Sequence, residues 1–243
     1  MENEKKTPKK RENPLINFLF NIVIPIGILY SRLASEEYFG PVYGLLLALS
    51  FPAGYFIYDL ITKKKTNFIS ILGFISIFLV GIIGALQLPS EWIAYEKAGK
   101  PLLIGLAILI SLKTRLPLVR KIFYNKEILD VERIDHILSE KKEENQLNRI
   151  FTYSTYMLTA SFLFSSALNF TMAKIIIKSP TGTEAFTQEL GQMMIVSKFV
   201  VGIPGAIVMM LILWYIFHSM KKLTGLAMEE LFAEHLREKA KEK

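Results

Sequence analysis

Histidine stands at only three positions, His136, His218 and His235, none of them at the paired spacing that holds zinc, and cysteine is absent. Without cysteine there is no disulfide, no thiolate metal site and no thiol nucleophile. No nucleophile–base pair or glycine-rich phosphate loop can be assembled from the remaining types either, so neither catalysis nor a cofactor or metal is expected. The chemistry that the sequence does offer is polar groups set against apolar runs. Gln87, Glu91, Trp92, Lys97 and Lys100 follow one another closely between two such runs, and Asn169 and Lys198 lie inside two later ones. Amides and lysines facing inward at one membrane surface can line a polar site for a small solute. Pro25, Pro52, Gly202 and Pro204 interrupt the apolar runs and are read as helix breaks.

The elements that must carry these residues are apolar and long. Of 243 residues, 51% are hydrophobic and the mean hydropathy is +0.34, too apolar for an ordinary soluble domain. A hydrocarbon core of ~30 Å takes about 20 apolar residues in helix. Pro14–Leu33, Gly40–Ile61, Phe68–Leu88, Phe151–Ala173 and Ile195–Phe217 meet that length, and Ala98–Leu112 spans if Lys113 and Arg115 snorkel. The expected fold is all-α: six transmembrane helices with added amphipathic cytoplasmic helices. The chain then divides into a basic tail (1–13), helices one to four (14–117), a charged amphipathic connector (118–150), helices five and six (151–217) and a charged amphipathic tail (218–243). Lys5, Lys6, Lys9, Lys10 and Arg11 precede the first run like the start of a signal peptide. The run lacks a small–x–small cleavage pattern, so it is expected to remain as a span.

Charge sets the orientation. With both termini cytoplasmic, 23 of the 29 Lys and Arg fall on the cytoplasmic side, leaving Arg32, Lys97, Lys100, Lys174, Lys178 and Lys198 outside. That bias is the positive-inside pattern, and it needs the short fourth span to be kept. The net charge of +7 is thereby assigned to anionic headgroups on the cytoplasmic side rather than to nucleic acid. Ile128, Val131, Ile134 and Leu138 recur at helical steps in the connector, as do Leu223, Ala227 and Leu231 in the tail. Three roles stay open for these stretches: lying on headgroups, capping the bundle, or docking a soluble partner.

Polar and small residues inside the runs fall into stripes. Asn17, Asn21 and Pro25 share one helical face, and so do Ser161, Ser165 and Asn169; each stripe suits helix packing or a solute path. Asp59 stands four residues before Lys63, the spacing of a local ion pair. Gly81 and Gly84 suit close helix approach, Pro52-Ala53-Gly54 marks a kink, and Pro117 stops the fourth helix. No acidic residue is expected near mid-span. A weak internal repeat pairs Ala85-Leu86-Gln87 with Ala167-Leu168-Asn169, each followed by an outer loop with glutamates (Glu91 and Glu96, or Glu184 and Glu189), a lysine and a proline (Pro101 or Pro204). Two readings of Lys198 remain open: it snorkels to the outer surface, or it faces Gln87, Asn169 and the loop glutamates with a lysine at 97 or 100.

Several of these stretches together resemble the bacterial intracellular septation protein A family of inner-membrane proteins. They are NFLFNIVIPIGILY (17–30), IYDLITKKK (57–65), PSEWIAYEKAGKP (89–101), LPLVRKIFYNKEI (116–128), LNRIF (147–151), SALNF (166–170) and SKFVVG (197–202). The resemblance makes Asn169 the match of an asparagine in that family's penultimate helix, and Lys198 the match of a lysine at the start of its last. The charged segment after Lys126 and the tail beyond Lys222 are longer than the pattern, and no tryptophan precedes Lys198. The resemblance implies a non-enzymatic, multi-pass protein of the bacterial inner (cytoplasmic) membrane, acting in septum formation or cell-envelope maintenance through membrane-protein partners. A small-solute transporter or channel with a polar site near the outer face is the alternative. An integral-membrane lipid enzyme ranks below both.

Overall fold

The computed structural model describes residues 14–63, 68–114 and 117–241. The basic tail, Lys64, Lys65 and Arg115 lie outside them, as do the side chains of Lys63, Lys239 and Lys241. The described residues are helical apart from turns and one isolated antiparallel bridge between Leu129 and Phe232. Nine helices run in order. We number them α1 (14–30), α2 (Gly40–Lys63), α3 (Phe68–Ala85), α4 (Glu91–Ser111), α5 (Leu118–Phe123), α6 (Val131–Lys141), α7 (Glu144–Ile176), α8 (Glu184–Thr224) and α9 (Glu234–Lys241). Each of the six apolar runs lies in a separate long helix. Two of them, over Gly40–Thr62 and in α8, are long and apolar enough to cross a membrane. Only 22% and 11% of their most apolar windows are buried, so these are not core helices shielded by protein.

The helices depart from the apolar runs at their ends. α4 begins seven residues before Ala98, α7 seven before Phe151, and α8 eleven before Ile195. Polar residues at a helix end outside hydrocarbon keep good helix propensity, so the hydrophobic run marks the lipid-compatible part and not the helix. The reverse occurs in the tail. A helical face through Leu223, Ala227 and Leu231 does not form, because Gly225 takes the left-handed conformation at φ 79° and ends α8 at Thr224.

Two of the expected helix breaks are wider turns instead. A π turn at Leu19–Val23 precedes Pro25, and Ile24 N–H there reaches back five residues to the Leu19 carbonyl. A second π turn at Lys198–Gly202 precedes Pro204. Proline removes one helical donor and its ring crowds the carbonyl four residues back. One added residue in the turn before it shifts the ladder past both defects. α1 and α8 therefore run on through their prolines, and α2 runs through Pro52, whose ring is buried.

The chain divides into two compact units: the described residues up to Glu96 together with Met172–Val196, and Lys97–Thr171 together with Ser197 onward. In the first unit α2 and α3 pack antiparallel, Gly84 beside Leu45 and the Phe56 ring stacked 4.7 Å from Phe74. α1 meets α2 through Phe20, 6.2 Å from both Phe51 and Tyr55. Leu45, Ala48 and Ala34 are at most 1% exposed. In the second unit α4 and α7 are antiparallel: the Ser166 hydroxyl donates to the Ala98 carbonyl at 2.8 Å, and Gly105 lies against Phe162 and the Thr159 carbonyl. α6 turns Ile134 and Leu138 inward, at 0% and 1% exposure, so this amphipathic helix caps the unit and does not lay its apolar face on headgroups.

A methyl on Gly44 would lie 2.5 Å from the Ala34 Cα, a backbone atom that cannot yield. Gly44→Ala is expected to destabilise the protein by about 1–3 kcal/mol. Gly54→Ala, with nothing within 4 Å, should be neutral or stabilising by up to ~1 kcal/mol. Thermal melts of the purified protein in detergent distinguish the two.

Candidate functional site

The sequence-predicted polar cluster is divided between the units. Gln87, Glu91 and Trp92 belong to the first, and Lys97, Lys100, Asn169 and Lys198 to the second. Gln87 ends α3 at positive φ (49°), and its side chain packs on Gly182, itself at φ 84°. The Thr181 hydroxyl donates to the Leu88 carbonyl at 2.6 Å. Across the same loop the Glu189 carboxylate accepts from the backbone N–H groups of Lys178 and Ser179, both at 2.9 Å, and from the Ser179 hydroxyl at 2.8 Å. Gln87 and Glu189 thus hold the 177–183 loop onto the α3–α4 turn. Glu91 is exposed in the first turn of α4, where a carboxylate favours the helix amino end. Trp92 is exposed and edge-on to Tyr95 at 6.4 Å.

Asn169 donates to the Ser165 carbonyl one turn back at 2.8 Å, within α7. The Ser161–Ser165–Asn169 stripe is only half-buried, and the polar face set against α4 is the neighbouring one, with Ser166 and Thr159. Asn21 likewise bonds within its helix, to the Asn17 carbonyl at 2.9 Å. The repeat does not extend to structure: Gln87 terminates a helix, whereas Asn169 lies seven residues before the end of one. Lys198 is exposed and opens the π turn of α8. The 22 residues 199–220 that separate it from Lys221 contain no Lys, Arg, Asp or Glu. At about 1.5 Å per residue they measure ~33 Å, close to the thickness of hydrocarbon. That length is the one the snorkelling arrangement of Lys198 requires.

The residue missed from sequence is Glu96, assigned there to an outer loop. It lies in α4 at 9% exposure, and the Ser76 hydroxyl, ninth of the eighteen residues of α3, donates to its Oε1. An acidic group is therefore buried against the middle of an apolar helix. The signal in the sequence was the i, i+4 step from Glu96 to Lys100 in a segment that continues into an apolar run. α4 has only 12 uncharged residues, 101–112, before Lys113. Of its charges, Glu96 is buried and Lys97 and Lys100 are half-buried.

A second polar assembly joins α5, α6, the start of α7 and the tail. Arg133 bonds Glu230 at 3.0 Å, and Arg237 bonds Asp130 at 3.1 Å. The Lys141 ammonium donates to the Leu223 and Thr224 carbonyls at 3.2 and 3.1 Å, neutralising the carboxyl end of α8. The Ala227 N–H, 2.8 Å away, and Arg133 hold the Glu230 carboxyl below the usual carboxylate range. Burial, then the Asp135 carboxylate, pushes the Tyr124 phenol well above its ordinary value. Among the described residues no group of three or more His, Asp or Glu is placed to hold a metal ion.

No family model matches the chain, and neither a curated protein nor a solved structure is similar to it.

Two outcomes are expected. Ser76→Ala leaves a buried carboxylate with one donor fewer and should cost about 1–3 kcal/mol, read by thermal unfolding in detergent. Because the Glu230 carboxyl is lowered in the folded protein, its contribution is present above the unfolded value and lost as pH falls through the folded one. Amide exchange over 226–238, corrected for intrinsic rate, should therefore rise on acidification below the usual carboxylate range. Glu230→Gln should exchange faster at neutral pH as well.

Proposed function

We propose that this chain is a six-span protein of a bacterial cytoplasmic membrane, with both termini inside, that works without catalysis in septum formation or envelope maintenance by holding membrane-protein partners. The observation that carries the membrane part is the match between helix lengths and charge-free stretches. Besides the ~33 Å stretch of α8, residues 150–173 of α7 are 24 without a charge, about 36 Å between Arg149 and Lys174. Exposed aromatic rings stand toward the ends of these stretches. Tyr43 and Tyr58 do so on α2, Tyr153 and Tyr156 on α7, and Trp214 on α8, where its ring stacks on His218 at 5.1 Å. Large apolar side chains exposed between them, such as Phe78, Ile110, Phe164 and Met210, need lipid or a partner helix for solvent. The envelope role is supported by the resemblance carried by residues 17–30, 57–65, 89–101 and 197–202. The folded basic-side assembly offers a surface for partners in the cytoplasm.

A second reading has its own observation. Glu96, buried beside Ser76, supplies the intramembrane carboxylate that a proton- or cation-coupled transporter uses, and the π turns before Pro25 and Pro204 loosen two helices. Saturable uptake of a solute into proteoliposomes, abolished in Glu96→Gln, would favour this reading over the first.

The absence of cysteine makes the topology directly testable. Ser35→Cys and Thr183→Cys should react with a membrane-impermeant maleimide in intact spheroplasts, and Lys126→Cys and Glu229→Cys only after permeabilisation. The reverse pattern, or equal labelling of all four, would refute the six-span arrangement. Deleting the gene should give chained, filamentous or misshapen cells, with a tagged copy at the septum or along the wall. Normal cells with an even membrane signal would count against the envelope role.

A further inference from the structure

In the second unit α5, α6 and the first turns of α7 enclose an open polar cleft of about 500 Å³. Arg120, Asp135 and Glu144 line it together with Asn148 and Ser139. A single ring ties the cation to one of the carboxylates. The Arg120 guanidinium carbon lies 5.5 Å from the Tyr124 ring centroid, and the Tyr124 hydroxyl donates to Asp135 at 2.6 Å. Arg120 also donates one Nη1 hydrogen bond to Asn148 at 2.5 Å, which sets the plane of a group that carries five N–H donors in all. Cation and carboxylate are thereby each given a fixed neighbour before any ligand arrives.

The depth of the cleft follows from its neighbours. The Leu118 N–H donates to the Ser111 hydroxyl at 3.0 Å, which pins the start of α5 to the last residue of α4. On α7, Asn148 lies one turn or less before the charge-free stretch that opens at Ile150. Leu118 and Ile122, four residues apart on α5, are both exposed apolar side chains. The cleft therefore opens at the level where two apolar helices leave hydrocarbon, the depth of phospholipid headgroups.

Charge selects the ligand. A purely anionic headgroup that reaches Arg120 must also face Asp135 and Glu144, and a simple amine must face Arg120. A phosphate joined to an ammonium through a short linker satisfies both sides, and a primary ammonium can in addition donate to the carboxylates. We propose that this cleft binds the headgroup of a phosphoammonium lipid such as phosphatidylethanolamine, its phosphate on Arg120 and its ammonium on Asp135 and Glu144. The inference rests on the membrane reading given above.

The test is native mass spectrometry of the full chain. Before it, the protein is reconstituted in vesicles of equal parts phosphatidylethanolamine, phosphatidylglycerol and phosphatidylcholine, and flotation checks insertion. The expected result is retention of phosphatidylethanolamine over each of the others by about tenfold or more, as charge-assisted hydrogen bonds worth ~1.5–3 kcal/mol imply. Arg120→Ala and Asp135→Asn should each remove that preference, and Arg120→Lys should keep part of it. Arg149→Gln, outside the cleft, should leave it unchanged. Equal retention of the three lipids overturns the proposal, as does a preference that survives undiminished in Arg120→Ala or in Asp135→Asn, the latter a variant that keeps the side-chain volume. Displacement of the retained lipid by millimolar soluble phosphoethanolamine would assign the cleft to a free ligand and overturn the lipid assignment. Failure to float refutes the membrane reading instead, and so is told apart from failure of the headgroup site.

Discussion

Charge cannot stand unpaired in hydrocarbon, and a backbone there has no water to bond, so a chain of this composition must satisfy both conditions inside its helices. α7 and α8 do so by length. Each keeps Lys and Arg at the limits of a charge-free stretch near bilayer thickness, and the helix ends that exceed it carry the glutamates, amides and lysines. Lys198 is explained by this rule without any special role. It opens the charge-free stretch of α8, and the 14 residues before it, Glu184–Ser197, belong to the folded end of the helix, with Phe186, Leu190 and Met193 buried.

α4 meets the same constraint differently. Its uncharged stretch is too short for the thickness of a bilayer, so α4 could adjoin lipid only with its charges turned away from it. The structure shows Glu96 taken up by a hydroxyl of α3 and the two lysines partly covered. Positions 98 and 105 of the same helix then allow α7 to come close, through a serine hydroxyl on a backbone carbonyl and a glycine under a phenylalanine. Small residues and hydroxyls make that contact, as expected where hydrophobic driving force between helices is absent. An ion pair or hydrogen bond held there has few competitors, which is why Glu96, more than the exposed Lys198, is the group on which a transport activity would depend.

Much of the fold was legible because apolar run length is a coarse and strong signal. All six runs fall mainly in helices, α2 within two residues at its ends, though the first, third and fourth runs overshoot theirs by one to three residues. Helix limits were less legible, since hydropathy reports the solvent of a segment and not its hydrogen bonding; α8 is nearly twice its apolar run for this reason. The π turns were legible only as disturbances at Pro25 and Pro204, because a proline announces a lost donor and not how the ladder re-registers. Of the polar cluster, Lys198 was legible as the charge that bounds an apolar run. The sequence could not show that Gln87 and Glu189 are committed to a loop, which takes contacts over ten to a hundred residues. Glu96 was lost by counting it as loop, where the helical step to Lys100 would have kept it in α4.

The basic side shows the same economy of charge in water. Its residues could have stayed a diffuse attraction for anionic lipid, yet four of those described are tied to a partner: Arg133 to Glu230, Arg237 to Asp130, Lys126 to Glu132, Lys141 to the end of α8. Exposed pairs of this kind add little stability singly. Their value lies in register, since they fix the tail against α6 while Ile134, Leu138 and Leu231 supply the burial. A long-range field that is partly neutralised in this way leaves local geometry to decide what binds. Selective contact at this surface therefore has to come from fixed, mixed-charge features like the Arg120–Tyr124–Asp135 arrangement, and less from the net charge of +7.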